Sequence, residues 1–271
     1  MRDRDFGRWF RAVAVVGLVV TAATAVLAAQ RFGRRGFDRP DFAEAEAVPY
    51  DGRFTFLRLR YRMGGFGGGG DFGGRRGLPP WAHDYPRAER NFSKILGEIT
   101  AIRPFDGPTG GRILDLGDPE LFKYPVAYMS EPGFWTMTDE EAEALRAYVT
   151  KGGFLIFDDF RGRHWYNFEE QLRRVVPDAR PVMLDATHPI FHAFFEIDSL
   201  AFVQFYGRGD QPEFYGVFEE NDPARRLLAI ANYNNDIGEF WEYSDTGFAP
   251  IELSNEAYKL GVNYVVYGMT H

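Results

Sequence analysis

From Tyr124 to Pro177 the chain alternates compact apolar runs with amphipathic stretches. "YPVAYM" (Tyr124–Met129) is an apolar run of strand length. "TMTDEEAEALRAYVTKGG" follows, with Thr138 and Glu141 spaced as a capping box and Gly152-Gly153 as a stop, so it predicts a helix. "FLIF" (Phe154–Phe157) predicts the next strand and "WYNFEEQLRRVVP" the next helix. Upstream, "RFTFLRLRY" (Arg53–Tyr61) alternates as a first strand. "HDYPRAERNFSKILGEITAI" predicts a helix, with Phe92, Ile95, Leu96 and Ile99 on one face and Pro86 near its start, and a short strand is expected around Arg112–Leu116. After Pro181, "PVMLD", "FYGVFEE" and "LLAIANY" read as strands, and "SNEAYKLGVNYVVYGMTH" as a closing helix capped by Ser254. This order predicts an α/β fold: a three-layer sandwich with a mostly parallel, flavodoxin-like sheet between helices.

Composition narrows the chemistry. The 271 residues hold no cysteine, which removes thiolate catalysis, cysteine zinc sites and disulfides. A formal charge of −8 argues against nucleic acid as a partner. Residues 1–29 read as a signal peptide. Arg2, Arg4, Arg8 and Arg11 form a basic start, Ala12–Ala29 is uncharged, and small residues end it. An uncleaved anchor is the alternative, and only then would a membrane be a partner. Both versions place the folded part outside the cytoplasm, in the periplasm or beyond. Residues 30–50 read as a linker and 51–271 as one α/β domain. Nine of the fourteen residues from Gly64 to Gly77 are glycine, but no Gly-Lys-Ser/Thr follows, so a surface loop is expected rather than a phosphate cradle.

Ligands of open parallel sheets bind outside the carboxyl ends of the strands. Three such ends are rich in polar groups. The first carries Asp158, Asp159, Arg161 and His164. The second carries Asp185, His188 and His192, and the third Asn232, Asn234, Asn235, Asp236, Glu239 and Glu242. Each has a plainer reading. Asp158-Asp159 also suits a strand running out into water, and Asn234-Asn235-Asp236 a tight turn. His188 and His192 have the i, i+4 spacing of a metal pair but lack a zincin glutamate, so no metal is assigned. No motif calls for a cofactor. Ser130 lacks the Gly-x-Ser-x-Gly elbow of a hydrolase nucleophile. Glycoside hydrolysis by Asp159 with Glu239 or Glu242 turns on a separation that sequence does not give.

"YPRAERNFSKILGEIT", "YPVAYMSEPGFWTMTDEEAEALRAYVTKGGFLIFDDF", "HPIFHAFFEI", "NDIGEFWEY" and "AYKLGVNYVVYGMTH" together resemble the bacterial domain-of-unknown-function family 4159, over about residues 51–271. The resemblance implies a fold similar to class I glutamine amidotransferases and no established activity. Some members belong to membrane-anchored, von Willebrand-type assemblies. By analogy with amidotransferases, the strand "GGFLIF" exits where those enzymes carry a nucleophilic cysteine. Here Asp158-Asp159 stand instead, which excludes the glutaminase reaction. Three readings follow. The first is a non-catalytic module binding a small molecule or an envelope protein at the sheet edge. The second is a carboxylate-dependent hydrolase of an envelope saccharide, and the third an interaction subunit of an envelope complex. The edge is expected to be lined by Asp158, Asp159, Arg161, His164, His188, His192, Asn235, Asp236, Glu239 and Glu242. Asp159 and Asp236 are the expected acceptors of ligand donors. His188 is the expected proton carrier if there is chemistry, with Asp158, Asp159, Asp236 and Glu239 the other catalytic candidates.

Overall fold

The computed structural model describes residues 42–64, 78–201 and 211–271. The expected signal segment and most of the glycine-rich loop lie outside the described residues. A seven-stranded sheet organises the domain, in the order β3-β1-β4-β6-β9-β8-β7. Its strands are β1 (Phe56–Arg60), β3 (Gly111–Asp115), β4 (Val126–Ser130), β6 (Phe154–Phe160), β7 (Val182–Met183), β8 (Glu213–Phe218) and β9 (Leu227–Tyr233). The first five in spatial order are parallel, and β8 runs antiparallel to both of its neighbours. Counted along the chain, the parallel strands stand in the doubly wound order 2-1-3-4-5. A small antiparallel ribbon pairs β2 (Arg62–Met63) with β5 (Trp135–Thr136).

Helices cover both faces, as the predicted sandwich requires. Leu57, Leu59, Met129, Leu155 and Phe157 pack with helices α3 (Asp139–Thr150) and α4 (His164–Val175). Phe56, Tyr128, Phe154 and Ile156 point the other way, against α2 (Arg87–Ile99), α5 (Ile237–Glu242) and α6 (Ile251–Thr270). Period-two alternation in strands buried on both sides makes their sequence read as near-continuous apolar runs. The capping box of α3 forms in full: Thr138 accepts from Glu141 N–H at 3.2 Å, and the Glu141 carboxylate accepts from Thr138 N–H at 2.7 Å.

Two expectations shift. The stretch read as a linker contains helix α1 (Phe42–Glu46), whose Ala45 is buried and whose Phe42 packs on Trp81 with ring centroids 4.8 Å apart. Ser254 is not a cap. Helix α6 starts three residues earlier, behind Pro250, whose fixed φ suits entry to a helix, and Ser254 is buried inside it. No helix among the described residues is long and apolar enough to cross a membrane.

Candidate functional site

Strand β6 runs through both aspartates, and its last turn of pleat is broken. Three steps on β6, Phe157 to Phe160, match two on β9, Ala231 to Tyr233, so one residue is extra: a β-bulge. Asp159 occupies it with φ 57°, in the left-handed region that side chains other than glycine avoid. The bulge gives the two carboxylates different jobs. Asp158 accepts from Tyr128 Oη at 2.8 Å, Asn232 Nδ2 at 3.0 Å, Gly238 N–H at 3.0 Å and Ile237 N–H at 3.3 Å. It therefore ties β4, β9 and the start of α5 together. Burial pushes its acid up to about 6, against those hydrogen bonds. Asp159 instead reaches His83, whose Nδ1 lies 2.6 Å from its Oδ2.

His83 follows a 3-10 turn (Pro80–Ala82) that is held from below by Arg58. The Arg58 guanidinium is buried, donates to Trp81 O at 2.9 Å, pairs with Glu89 and lies 5.0 Å over the Tyr128 ring. Around the imidazole stand Glu131 Oε1 and Asp84 Oδ1, each 3.7 Å from Nδ1, and Glu239 Oε2, 3.8 Å from Nε2. Asp236 completes the group; its Oδ1 caps α5 by accepting from Glu239 N–H at 2.9 Å. Three of these acids sit on left-handed backbone: Asp84 at φ 64°, Glu131 at 46° and Asp159 at 57°. Such conformations cost about 1–3 kcal/mol each and persist only where the surroundings impose them.

The cluster holds far more negative than positive groups. Burial raises the acids of Asp84 and Asp236 well above the carboxylate range, and their neighbouring carboxylates raise them further. Burial and the Asp159 charge bring Glu131 to about 8, with His83 opposing, and burial also raises Glu239. Burial alone would lower the imidazolium of His83, but Asp84, Asp159 and Asp236 outweigh it and raise it strongly. No donor among the described residues reaches either oxygen of Asp84. The group that couples to it is another carboxyl, Glu239; Asp84 keeps its proton and Glu239 is the acceptor that the shared proton holds down. Gly238 makes this approach possible: a Cβ there would lie 2.7 Å from both Asp84 Oδ2 and Tyr128 Oη.

Of the residues expected at the sheet edge, the structure brings Asp158, Asp159, Asp236 and Glu239 together. Arg161 is close enough to Glu131 to hold its acid down, and Asp159 acts on His164. His164 itself packs edge-on against Phe134, with centroids 4.6 Å apart, and burial lowers its imidazolium. Asn235 is buried and accepts from Asp236 N–H at 3.0 Å. Glu242 is buried toward Glu89, at the seam of α2 and α5.

The two histidines of the second strand end are a correction. His188 caps a 3-10 turn through Nδ1, which accepts from Ile190 N–H at 3.2 Å, and packs beside Phe218 and Tyr267. Tyr267 in turn packs on Phe154, the first residue of β6, so His188 lies toward the amino ends of the strands, away from Asp159. His192 bonds Glu196 at 2.5 Å and Ala186 O at 2.6 Å. The physical reason is the shortness of β7: after two residues the chain folds back over the sheet face instead of staying at its edge.

His83, Asp84 and Glu131 were not among the expected site residues. Glu131 follows β4 directly, so the strand-end rule applied to it as well as to Ser130. "HD" stands ahead of Pro86, which starts the helix, so those two residues belong to the loop at the sheet edge.

The fold and the cluster define a doubly wound α/β domain with a buried acid-and-histidine centre over the carboxyl ends of β4, β6 and β9. Residues 71–269 match the sequence profile of a domain of unknown function, DUF4159, and the chain belongs to that family. No curated protein matches the chain.

Proposed function

We propose that this chain is an exported binding domain whose ligand carries positive charge and docks in the acidic centre around His83. The carrying observation is Asp84, a buried acid that no donor reaches and that stays neutral only by keeping a proton against Glu239, inside a group of acids with one imidazole among them. Crowded buried carboxyls must hold protons to avoid the cost of buried charge, and a cation is the ligand that can take the place of those protons. Export is supported by the basic start and the apolar run of residues 1–29.

Saccharide hydrolysis is less well supported. Glycosidase carboxyl pairs stand about 5–9.5 Å apart so that a sugar bond and a water fit between them. Of the acids expected to pair with Asp159, Glu242 is buried toward Glu89, and Glu239 crowds with the buried Asp84 and Asp236, its ligating atom within 4.8 Å of theirs. An interaction role has its own locus: a groove of about 700 Å³ between α2 and α6, lined by Ile95, Ile99, Phe195, Ile251 and Tyr258. That groove holds none of the cluster residues.

A thermal-denaturation screen of the full chain against metal ions, spermidine, neutral oligosaccharides and nucleotides tests the reading. Cations are expected to raise Tm, with affinity at least tenfold weaker in Asp236→Asn and unchanged in Asp115→Asn. Hits confined to neutral or anionic compounds, or cation hits indifferent to Asp236→Asn, would overturn it.

A further inference from the structure

We propose that the acidic centre holds one divalent ion of the manganese or zinc class, bound by His83 Nε2 and by one carboxylate oxygen each from Asp84, Asp236 and Glu239. This inference rests on the cationic-ligand reading and gives that ligand its chemistry.

The donor atoms of these four residues lie within 4.8 Å of one another. Metal–ligand bonds of about 2.0–2.2 Å put ligands on opposite sides of an ion about 4.0–4.4 Å apart. Glu239 Oε2 already stands 3.8 Å from Nε2, while Asp84 Oδ1 approaches the ring 3.7 Å from Nδ1, so Asp84 is the ligand that must turn toward the ion. His83, Glu131 and Asp159 form a second group of the same kind, which gathers on the Nδ1 side of the ring. Its Nδ1 already faces Asp159 Oδ2 at 2.6 Å, so Nδ1 keeps its proton in that contact and Nε2 is the nitrogen whose proton an ion displaces. A carboxylate on the far nitrogen is the arrangement that orients a metal-bound histidine and strengthens it as a ligand. Asp159 is a positioning residue here.

Asp84 is the observation that makes the cluster more than a crowd of acids. It is 2% exposed, and both of its oxygens lack a donor among the described residues. Gly238 lets the backbone of α5 come close to Asp84, since a Cβ there would stand 2.7 Å from Asp84 Oδ2. The donor set selects the ion. Calcium and magnesium favour all-oxygen shells with six or more ligands or several waters, whereas an imidazole with carboxylates suits a first-row ion. Size points the same way. Within the set, His83 is the most exposed side chain, at 27%, so a bare ion has an entrance where a substituted ammonium would need room for its stem.

The full chain is stripped with EDTA, exchanged into chelator-free buffer and titrated with Mn²⁺, Zn²⁺, Ca²⁺, Mg²⁺ and spermidine. Thermal denaturation, calorimetric stoichiometry and, for Mn²⁺, loss of the free-ion electron-spin-resonance signal are read in parallel. One equivalent of Mn²⁺ or Zn²⁺ is expected to bind more tightly than Ca²⁺ or Mg²⁺, with Tm rising as metal is added. Asp84→Asn and Glu239→Gln are expected to lose the metal. Asp159→Asn weakens it about 10- to 100-fold at unchanged stoichiometry, and Asp115→Asn binds as the parent does. Asparagine keeps the shape of Asp84 and is neutral without holding a proton, so Asp84→Asn should melt in EDTA at or above the parent temperature. That separates a lost ligand from a lost fold. Spermidine binding without any metal binding would overturn the metal and leave the cationic-ligand reading standing. Metal binding that survives Asp84→Asn would overturn it too. Failure of every cation at millimolar concentration would overturn both.

Discussion

Asp158 and Asp159 are neighbours in sequence and have little in common in the fold. Four donors fix the first as a tie between three elements, while the second sits on strained backbone and faces an imidazole. The same contrast separates Arg58 from the other basic residues. It is buried with Glu89, and its hydrogen bond to Trp81 O supports the turn that delivers His83. Removing one member of a buried pair leaves the other charge stranded, at a cost of about 3–5 kcal/mol. Arg58→Met is therefore expected to lower stability to urea by about that amount. Adding Glu89→Met should recover most of it, because no unpaired charge remains. A single variant that unfolds at the parent midpoint would show that the pair contributes little. None of this was legible in "RFTFLRLRY", where Arg58 reads as one more polar position on an exposed face. Its burial comes from α2 crossing that face of the sheet, a contact between residues 31 positions apart.

At the scale of elements, local rules succeeded where the signal is local. The capping box of α3 and the apolar runs of β4, β6 and β9 lie where their own residues predict them. The strand-end rule placed Asp159, Asp236 and Glu239 in one cluster because parallel strands bring their carboxyl ends to one edge. It failed for His188 because β7 is too short to hold its exit at that edge. It overlooked His83 and Asp84, which precede a helix and depend on a contact to β6 spanning 76 positions. Helix α5 joins the two kinds of information. Its first turn meets Asp158 through Ile237 and Gly238 N–H, and its cap, Asp236, belongs to the cluster. Gly238→Ala tests that junction. The added methyl must displace Asp84 or Tyr128, each 2.7 Å away, and strain of this sort typically costs about 1–3 kcal/mol. The expected result is a folded protein with a lower Tm and cation affinity weakened at least tenfold. Unchanged affinity would place the ligand elsewhere than beside Asp84.

At the scale of the whole molecule, the cluster sets how stability depends on pH in the absence of a bound cation. Glu131 titrates near 8 in the fold against 4.5 ordinarily, and Asp158 near 6 against 3.8. Asp84, Asp236 and Glu239 move in the same direction. An acid with a raised folded pKa holds its proton in the native chain after the unfolded chain has released it. Unfolding then releases protons, so stability falls as pH rises from about 4 to about 8. His83 adds the same sign: its raised imidazolium contributes fully below about 6.5 and is lost only as pH rises through the higher folded value. His164 and His188 oppose it, since burial lowers both and the protein loses their contribution as pH falls below about 6.5. Glu89, raised by burial, and His192, raised by the Ala186 carbonyl and Glu196, add the same sign as His83, so the six raised acids and two raised histidines outnumber the two lowered ones. The urea midpoint of the EDTA-treated chain should therefore drop between pH 5 and pH 8. Glu131→Gln should flatten the upper half of that slope, and Asp115→Asn, an exposed acid paired with Arg60, should leave it unchanged. Saturation with the bound cation should flatten it as well, because the ion replaces the protons as the positive charge the carboxylates need. A midpoint that rises with pH in EDTA would mean that these acids are met by positive charge within the protein itself, and the case for a cationic ligand would fall with it.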